Sequence, residues 1–247
     1  MNGWRAFPIS AAVMALFAAV AAPASAQTTA PTMSTSIAVV ELFTSQGCNS
    51  CPPADRLLGE LAQRGDVIAL SLHVDYWDYL GWKDSFAFKA TTARQHAYAR
   101  ALGGRGVYTP QMVVGGVAHA VGSDGAAVSG LIEKAKRTAA LPILIEREGA
   151  GMVVRLPASS VPKGAVIWFV EFDARHDVPV ARGENGGKTL SYHNVVRRME
   201  KLGSWDGTAQ RLTLPPVSPS RAGGCAVLVQ AGDAGPILGA VKIDLRA

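Results

Sequence analysis

The sequence predicts an α/β domain over residues 37–138, followed by an all-β, sandwich-like domain over 141–247. Three observations carry this. Strand-like apolar runs alternate with helical stripes only in the first part. The motif Cys48-Asn49-Ser50-Cys51-Pro52 follows the first of those runs, where a strand would turn into a helix. From about Leu141 onward the helical stripes stop, and short strand-like runs recur between turn signals.

Residues 1–26 read as a secretory signal peptide. Arg5 is a short basic start, 11–22 is unbroken apolar sequence, and Ala24-Ser25-Ala26 is a small-residue cleavage pattern. The cut is expected after Ala26. The apolar stretch is short for a bilayer span, and no later stretch approaches one. Residues 27–36, rich in Thr, Ser and Ala, are expected to form a flexible lead-in. The chain has 247 residues and a net charge of +5, of which cleavage removes Arg5 alone. Its Lys and Arg residues are scattered, which argues against a nucleic-acid surface. Export implies a periplasmic or secreted protein that does not span the membrane after cleavage.

The first strand is expected at 37–43, a continuous apolar run of the kind buried on both faces of a sheet. Pro52 and Pro53 suit the first turn of a helix, where backbone N–H groups lack partners anyway. Leu57, Leu58 and Leu61 give that helix its apolar face. A second strand at 67–74 puts Ile68, Leu70, Leu72 and Val74 on one side, and Ser71, His73 and Asp75 toward the other. Phe86, Ala90, Ala93, Ala97 and Ala101 form a second helical stripe, ended by Gly103-Gly104. Strands at 111–114 and 117–121 flank Gly115-Gly116, a hairpin signal. Ser123 or Asp124 then caps a helix with Val128, Leu131, Ile132 and Ala135 on its apolar face. The order is β-α-β-α-β-β-α.

In the second part, strands are expected at 143–147, 152–156, 166–172, 179–182, 194–199, 211–214, 226–230 and 241–245. Turn signals between them include Glu148-Gly149-Ala150-Gly151, Pro162-Lys163-Gly164 and Gly186-Gly187. Many short strands at regular spacing suggest a sandwich.

Cysteine usage points to redox chemistry. A structural framework in an exported protein wants an even number of cysteines spread along the chain. Here Cys48 and Cys51 form a tight pair and Cys225 is left over. A thiol at a helix N-terminus is favoured as thiolate, the species that attacks disulfides. Cys48, at the exposed start of the helix, would be the nucleophile, and Cys51, one turn in, would resolve the mixed disulfide. The other readings of the pair are half a zinc site, for which no second CxxC or HxxxH exists, and a local structural disulfide. Thr109-Pro110 precedes the third strand, and on sequence alone its peptide bond is expected trans.

The β-α-β-α-β-β-α order, CxxC after the first strand and Thr-Pro before the third together resemble the thioredoxin fold. More specific are three stretches: 40–55, which holds Cys48 and Cys51; 73–82, His73-Val74-Asp75-Tyr76-Trp77-Asp78-Tyr79-Leu80-Gly81-Trp82; and Gly183-Glu184-Asn185-Gly186 with Tyr192-His193-Asn194-Val195-Val196-Arg197. These resemble an exported bacterial family, DUF1223, over essentially the whole mature chain. The resemblance to thioredoxins implies that Pro110 is a cis-proline facing the CxxC and that Thr109 is its substrate-facing neighbour. The dipeptide between the cysteines is Asn49-Ser50 where thioredoxin has Gly-Pro, and proline follows the second cysteine.

Other residues carry two readings each. Glu41, on the first strand, is either a buried carboxylate beneath the dithiol that takes a proton from Cys51, or a strand-end charge. His73 and Asp75 share a strand face at the strand end that parallel α/β folds use for ligands; they either serve the site, as substrate-binding residues, by tuning the cysteines or by helping to hold a metal, or pack with satisfied hydrogen bonds. Tyr76, Trp77, Tyr79 and Trp82 form either a rim for an unfolded peptide, with Trp77 substrate-binding, or packing between the domains. Residues 183–186 with His193 and Asn194 dock onto the redox face, bind a ligand, or form a turn network of satisfied polar groups. Cys225 reads as a small buried hydrophobe.

The expectation is therefore an exported thiol–disulfide oxidoreductase acting on protein thiols or disulfides. It needs no organic cofactor, because the dithiol carries the electrons, and a redox partner resets it. The alternatives are a Cu(I)-binding module, with His73 or Met112 as third ligand, and a non-catalytic interaction protein with a structural disulfide.

Overall fold

The computed structural model describes residues 1–3, 32–33, 37–138, 141–149, 151–160, 164–218 and 223–245. The signal peptide expected at 1–26 and the lead-in expected at 27–36 lie almost entirely outside the described residues. No helix among those described is long and apolar enough to cross a membrane.

The strands are β1 (Thr32–Met33), β2 (Ala38–Thr44), β3 (Val67–His73), β4 (Gln111–Val114), β5 (Ala118–Val121), β6 (Leu144–Glu148), β7 (Gly151–Leu156), β8 (Ala165–Pro179), β9 (Thr189–Trp205), β10 (Gln210–Thr213), β11 (Gly223–Ala231) and β12 (Ile237–Asp244). The α-helices are α1 (Pro52–Leu61), α2 (Lys89–Ala101) and α3 (Gly125–Lys136). Among the described residues they form a mixed α/β fold with two sheets. One has eight strands in the order β12-β11-β8-β9-β3-β2-β4-β5, and a smaller one has the order β1-β6-β7-β10.

The first part folds in the expected element order. β2 pairs parallel with β3 and antiparallel with β4, and β4 turns back into β5. The turn uses Gly115 and Gly116 at φ +61° and +68°. That region is closed to L side chains, and a Cβ on Gly116 would also sit 2.2 Å from the carbonyl oxygen of Gly235. Asp124 caps α3 by accepting from the Ala127 N–H at 3.0 Å.

α2 forms where the alanine stripe predicts a helix, but the stripe is not its buried face. Thr91, Arg94, Gln95, Tyr98 and Ala99 are buried instead. The reason is polar satisfaction. The Thr91 hydroxyl bonds the His73 carbonyl, Gln95 bonds Tyr108 and Gln111, and Arg94 bonds Glu41. A helix that must partner buried backbone and a buried carboxylate turns its polar side inward.

The second part does not stand as a separate sandwich. β8, β9, β11 and β12 extend the first sheet, joined to it where β9 runs parallel to β3 at Ser71 and Val195. The sandwich expectation is met only where the small sheet covers the outer strands. There Ile143, Ile145, Val154 and Leu156 pack with Ile167, Phe169, Val227 and Val241. The large sheet curls over itself, so Phe43, Leu70 and Leu72 share a core with Val170, Ala226, Leu228 and Ala240. Alternation along a strand reports which faces are buried, not which sheet the strand joins. The strand expected at 179–182 is the end of β8 and a turn. The Gly187 N–H bonds the Val180 carbonyl there, and Gly183 and Gly187 take φ +78° and +82°.

Candidate functional site around the Cys48–Cys51 disulfide

β2 ends at Thr44, and the chain loops through Ser45, Gln46 and Gly47 into Cys48 before α1 begins at Pro52. Cys51 is the N-cap residue of α1, and Cys48 lies in the preceding turn. The two sulfurs form a disulfide. Contrary to the exposed start expected for Cys48, both cysteines are buried, at 2% and 0% exposure. Only Asn49 and Ser50 between them face solvent.

What covers Cys48 comes from distant segments. The Thr109 hydroxyl donates to Cys48 Sγ at 3.2 Å and accepts from Trp77 Nε1 at 2.7 Å. Accepting from the indole directs the Thr109 hydrogen toward sulfur. The Thr109–Pro110 peptide is cis, against the sequence default of trans and in line with the resemblance. From the second half, the Asn185 side-chain N–H groups donate to the carbonyls of Gln46 and Cys48 at 3.0 and 2.9 Å. Asn185 is fully buried. Gln46 in turn accepts from Trp82 Nε1 at 2.8 Å. The same segment also closes a turn of its own, with the Gly186 N–H on the Gly183 carbonyl at 3.0 Å and Lys188 Nζ on Asn185 Oδ1 at 3.0 Å.

The aromatic segment divides. Trp77 is half-buried against the loop before Cys48, where its Cβ would meet a side chain at Gly47, and Trp82 bonds Gln46. Tyr79 is 76% exposed and stacks on Trp77 with ring centroids 6.4 Å apart.

Glu41 is not beneath the disulfide. It shares the core face of Val39 and Phe43, the opposite face of β2 from α1, and its carboxylate takes Arg94 Nε and Nη2 at 2.5 and 2.9 Å. The Tyr98 hydroxyl also bonds it. Asp75 likewise leaves the site, accepting from the Thr92 hydroxyl at 2.7 Å. His73 stays. It is fully buried, with Nδ1 2.7 Å from Asp84 Oδ2, and its ring sits edge-on to Phe86 and Tyr192. Asp84 also accepts from the Gln46 and Phe86 N–H groups at 2.8 Å each. Burial works against its charge, but the nearby His73 and these hydrogen bonds hold its carboxyl below the usual range.

The acid that sequence reasoning missed is Asp55. It lies one helical turn after Cys51 on the buried side of α1, and its N–H bonds the Cys51 carbonyl at 3.1 Å. Thr44 donates to its Oδ1 at 2.8 Å. Burial pushes the Asp55 carboxyl up to about 7, with His73 and Thr44 opposing. Its spacing of four from Cys51 was a signal in plain view, since i and i+4 share one helix face.

Among the described residues, no group of three or more His, Cys, Asp or Glu is arranged to hold a metal ion. His73 Nδ1 is engaged by Asp84, and Met112 lies in the core under α1 and α3. Cys225 is buried in β11, and burial pushes its thiol up to about 12.

A family model described as protein of unknown function (DUF1223) matches residues 39–230. A crystal structure of a protein from Agrobacterium tumefaciens is 38% identical, with a TM-score of 0.74, covering 86% of this chain and 95% of that one. Comparison with curated proteins found no match.

Proposed function

The chain belongs to the DUF1223 family of proteins of unknown function, and we propose that it is an exported thiol–disulfide oxidoreductase with a thioredoxin-like core. The observation that carries this reading is the Cys48–Cys51 disulfide at the start of α1, with the hydroxyl of Thr109, which precedes cis-Pro110, bonded to Cys48 Sγ. The sheet order β3-β2-β4-β5, with β2 parallel to β3 and antiparallel to β4, supports the thioredoxin-like assignment.

In this reading the Cys48 thiolate attacks a substrate disulfide, or its disulfide with Cys51 is attacked by a substrate thiolate. Thr109 stabilises negative charge on Cys48 sulfur through its O–H donor. Cys51, at the N-cap of α1, resolves the mixed disulfide. Protein thiols or disulfides in the periplasm or outside the cell are the substrates, and a redox partner resets the pair.

One observation favours a second reading. Cys48 is 2% exposed and its loop is tied down by Asn185, as suits a structural disulfide in an interaction protein. The reduction potential decides between them. Equilibration of the mature protein against glutathione should give a value at or above roughly −270 mV for an exchanging dithiol. A value below about −300 mV sinks the oxidoreductase reading and leaves the structural one.

A further inference from the structure

The alanine stripe of α2, which is not that helix's buried face, borders a cavity of about 230 Å³. Ala90, Ala93 and Ala97 line it from α2, Trp168 from β8 and Met199 from β9. Three hydrogen-bond donors reach this apolar space. Arg94 borders it and is only 6% exposed. Its Nε and Nη2 bond Glu41, Tyr98 and Gln230. Its Nη1 has two N–H groups, yet among the described residues it meets only the Asp233 carbonyl, at 3.5 Å. The Trp168 indole N–H is buried and has no partner among the described residues. Lys201 is the third donor, its Nζ 2.6 Å from Asp233 Oδ1. The Arg94 guanidinium carbon and Lys201 Nζ lie 5.2 and 5.4 Å from the centroid of the Trp168 ring. All three donors therefore gather around one indole.

Buried donors normally have acceptors. A carboxylate answers this set, because it only accepts and its charge strengthens bonds from Arg and Lys. The Lys201–Asp233 pair does not stand in the way. Its side chains are 51% and 64% exposed, so the pair is weak and opens readily. The alanine methyls and the Met199 thioether call for an apolar body on the same ligand. The cavity is smaller than the roughly 300–1,000 Å³ of drug-sized sites, which limits that body to one ring or a short chain.

We propose that this cavity binds a small carboxylic acid with an apolar body, its carboxylate held by Arg94 Nη1, Trp168 Nε1 and Lys201 Nζ. The site lies on the opposite side of β2 from α1. It is independent of the thiol–disulfide reading above.

The test titrates the mature protein with phenylacetate, followed by calorimetry and proton NMR. Phenylacetate should bind one site per chain and saturate below about 10 mM. Phenylacetamide has the same shape without the charge, and should bind roughly tenfold more weakly. The Trp168 indole N–H signal, assigned by its loss in Trp168→Phe, should shift on binding. Ala93→Leu fills the cavity from an exposed helix position and should abolish saturation. Lys201→Met should weaken phenylacetate about threefold and leave phenylacetamide unchanged. A wild type that does not saturate by about 10 mM overturns the proposal. So do equal affinities for the two probes, a fixed Trp168 signal, or an Ala93→Leu affinity like the wild type. Should Ala93→Leu not fold, Ala90→Leu fills the same cavity from the first turn of α2 and decides in its place.

Discussion

The side-chain amide of Asn185 donates to the main-chain carbonyl of Cys48 at 2.9 Å, across 137 residues of sequence. A second bond from the same amide reaches Gln46 at 3.0 Å. The loop that holds Cys48 is thus fixed by the segment between β8 and β9. Asn185→Ala leaves the Gln46 carbonyl without its donor and removes one of the two donors on the Cys48 carbonyl, which keeps the Cys51 N–H, and should cost about 2 kcal/mol in urea unfolding. The freed loop should also let dithiothreitol reduce the disulfide faster. Unchanged unfolding and reduction would mean that something else holds the loop.

Thr109 offers the Cys48 sulfur a hydroxyl hydrogen that Trp77 orients. Thr109→Val removes that donor. Ultraviolet titration of the reduced protein should show Cys48 ionising at higher pH, with about fivefold less thiolate at a given pH, equivalent to about 1 kcal/mol. Trp77→Phe should shift it the same way by less, since the hydroxyl is kept but loses its orientation.

Glu41 and Arg94 form a pair with side chains only 1% and 5% exposed. Arg94→Met strands a buried carboxylate and should cost about 3–5 kcal/mol in thermal or chemical unfolding. Glu41→Gln should lower stability too, while thiol exchange per folded molecule stays at the wild-type rate. Slower exchange at equal stability would return Glu41 to the redox chemistry.

Asp55 sets a pH dependence of stability. Its carboxyl is raised from 3.8 to about 7 by burial. Between those values the native state holds a proton that the unfolded chain has lost. Stability therefore declines as pH rises from about 4 to about 7, then levels off, by at most a few kcal/mol. Asp55→Asn should flatten this slope and gain on the wild type at pH 8 relative to pH 5. Equal slopes in the two proteins would show that Asp55 does not titrate in this way.

The Cys225 thiol is buried, and burial pushes it up to about 12. Iodoacetamide should reach Cys225 only after unfolding. Mass spectrometry of the labelled peptides reads this directly.

Much of the architecture was legible locally. Apolar runs located β2 and β3, the glycine pair located the β4–β5 turn, and Asp124 marked the start of α3. α2 shows where local reading stops. Its alanine spacing identifies a helix but points to the wrong face, because Thr91, Arg94 and Gln95 answer polar groups on other strands. β8 and β9 were seen only in part. At 15 and 17 residues they run on past their apolar centres, held by each other's backbone. Hydrogen bonding between strands leaves no mark on side-chain periodicity.

The sequence by itself determined the CxxC pair, the element order of the first half and the family, since spacing, turn chemistry and periodicity act between near neighbours along the chain. Only the tertiary structure decided that Cys48 is covered, that Glu41 pairs with Arg94 on the face of β2 away from α1, and that one sheet runs through both halves. Each of these depends on pairings between residues far apart in sequence. Partner choice there follows from which buried donors and charges must be satisfied together, and that is settled only when the chain closes on itself.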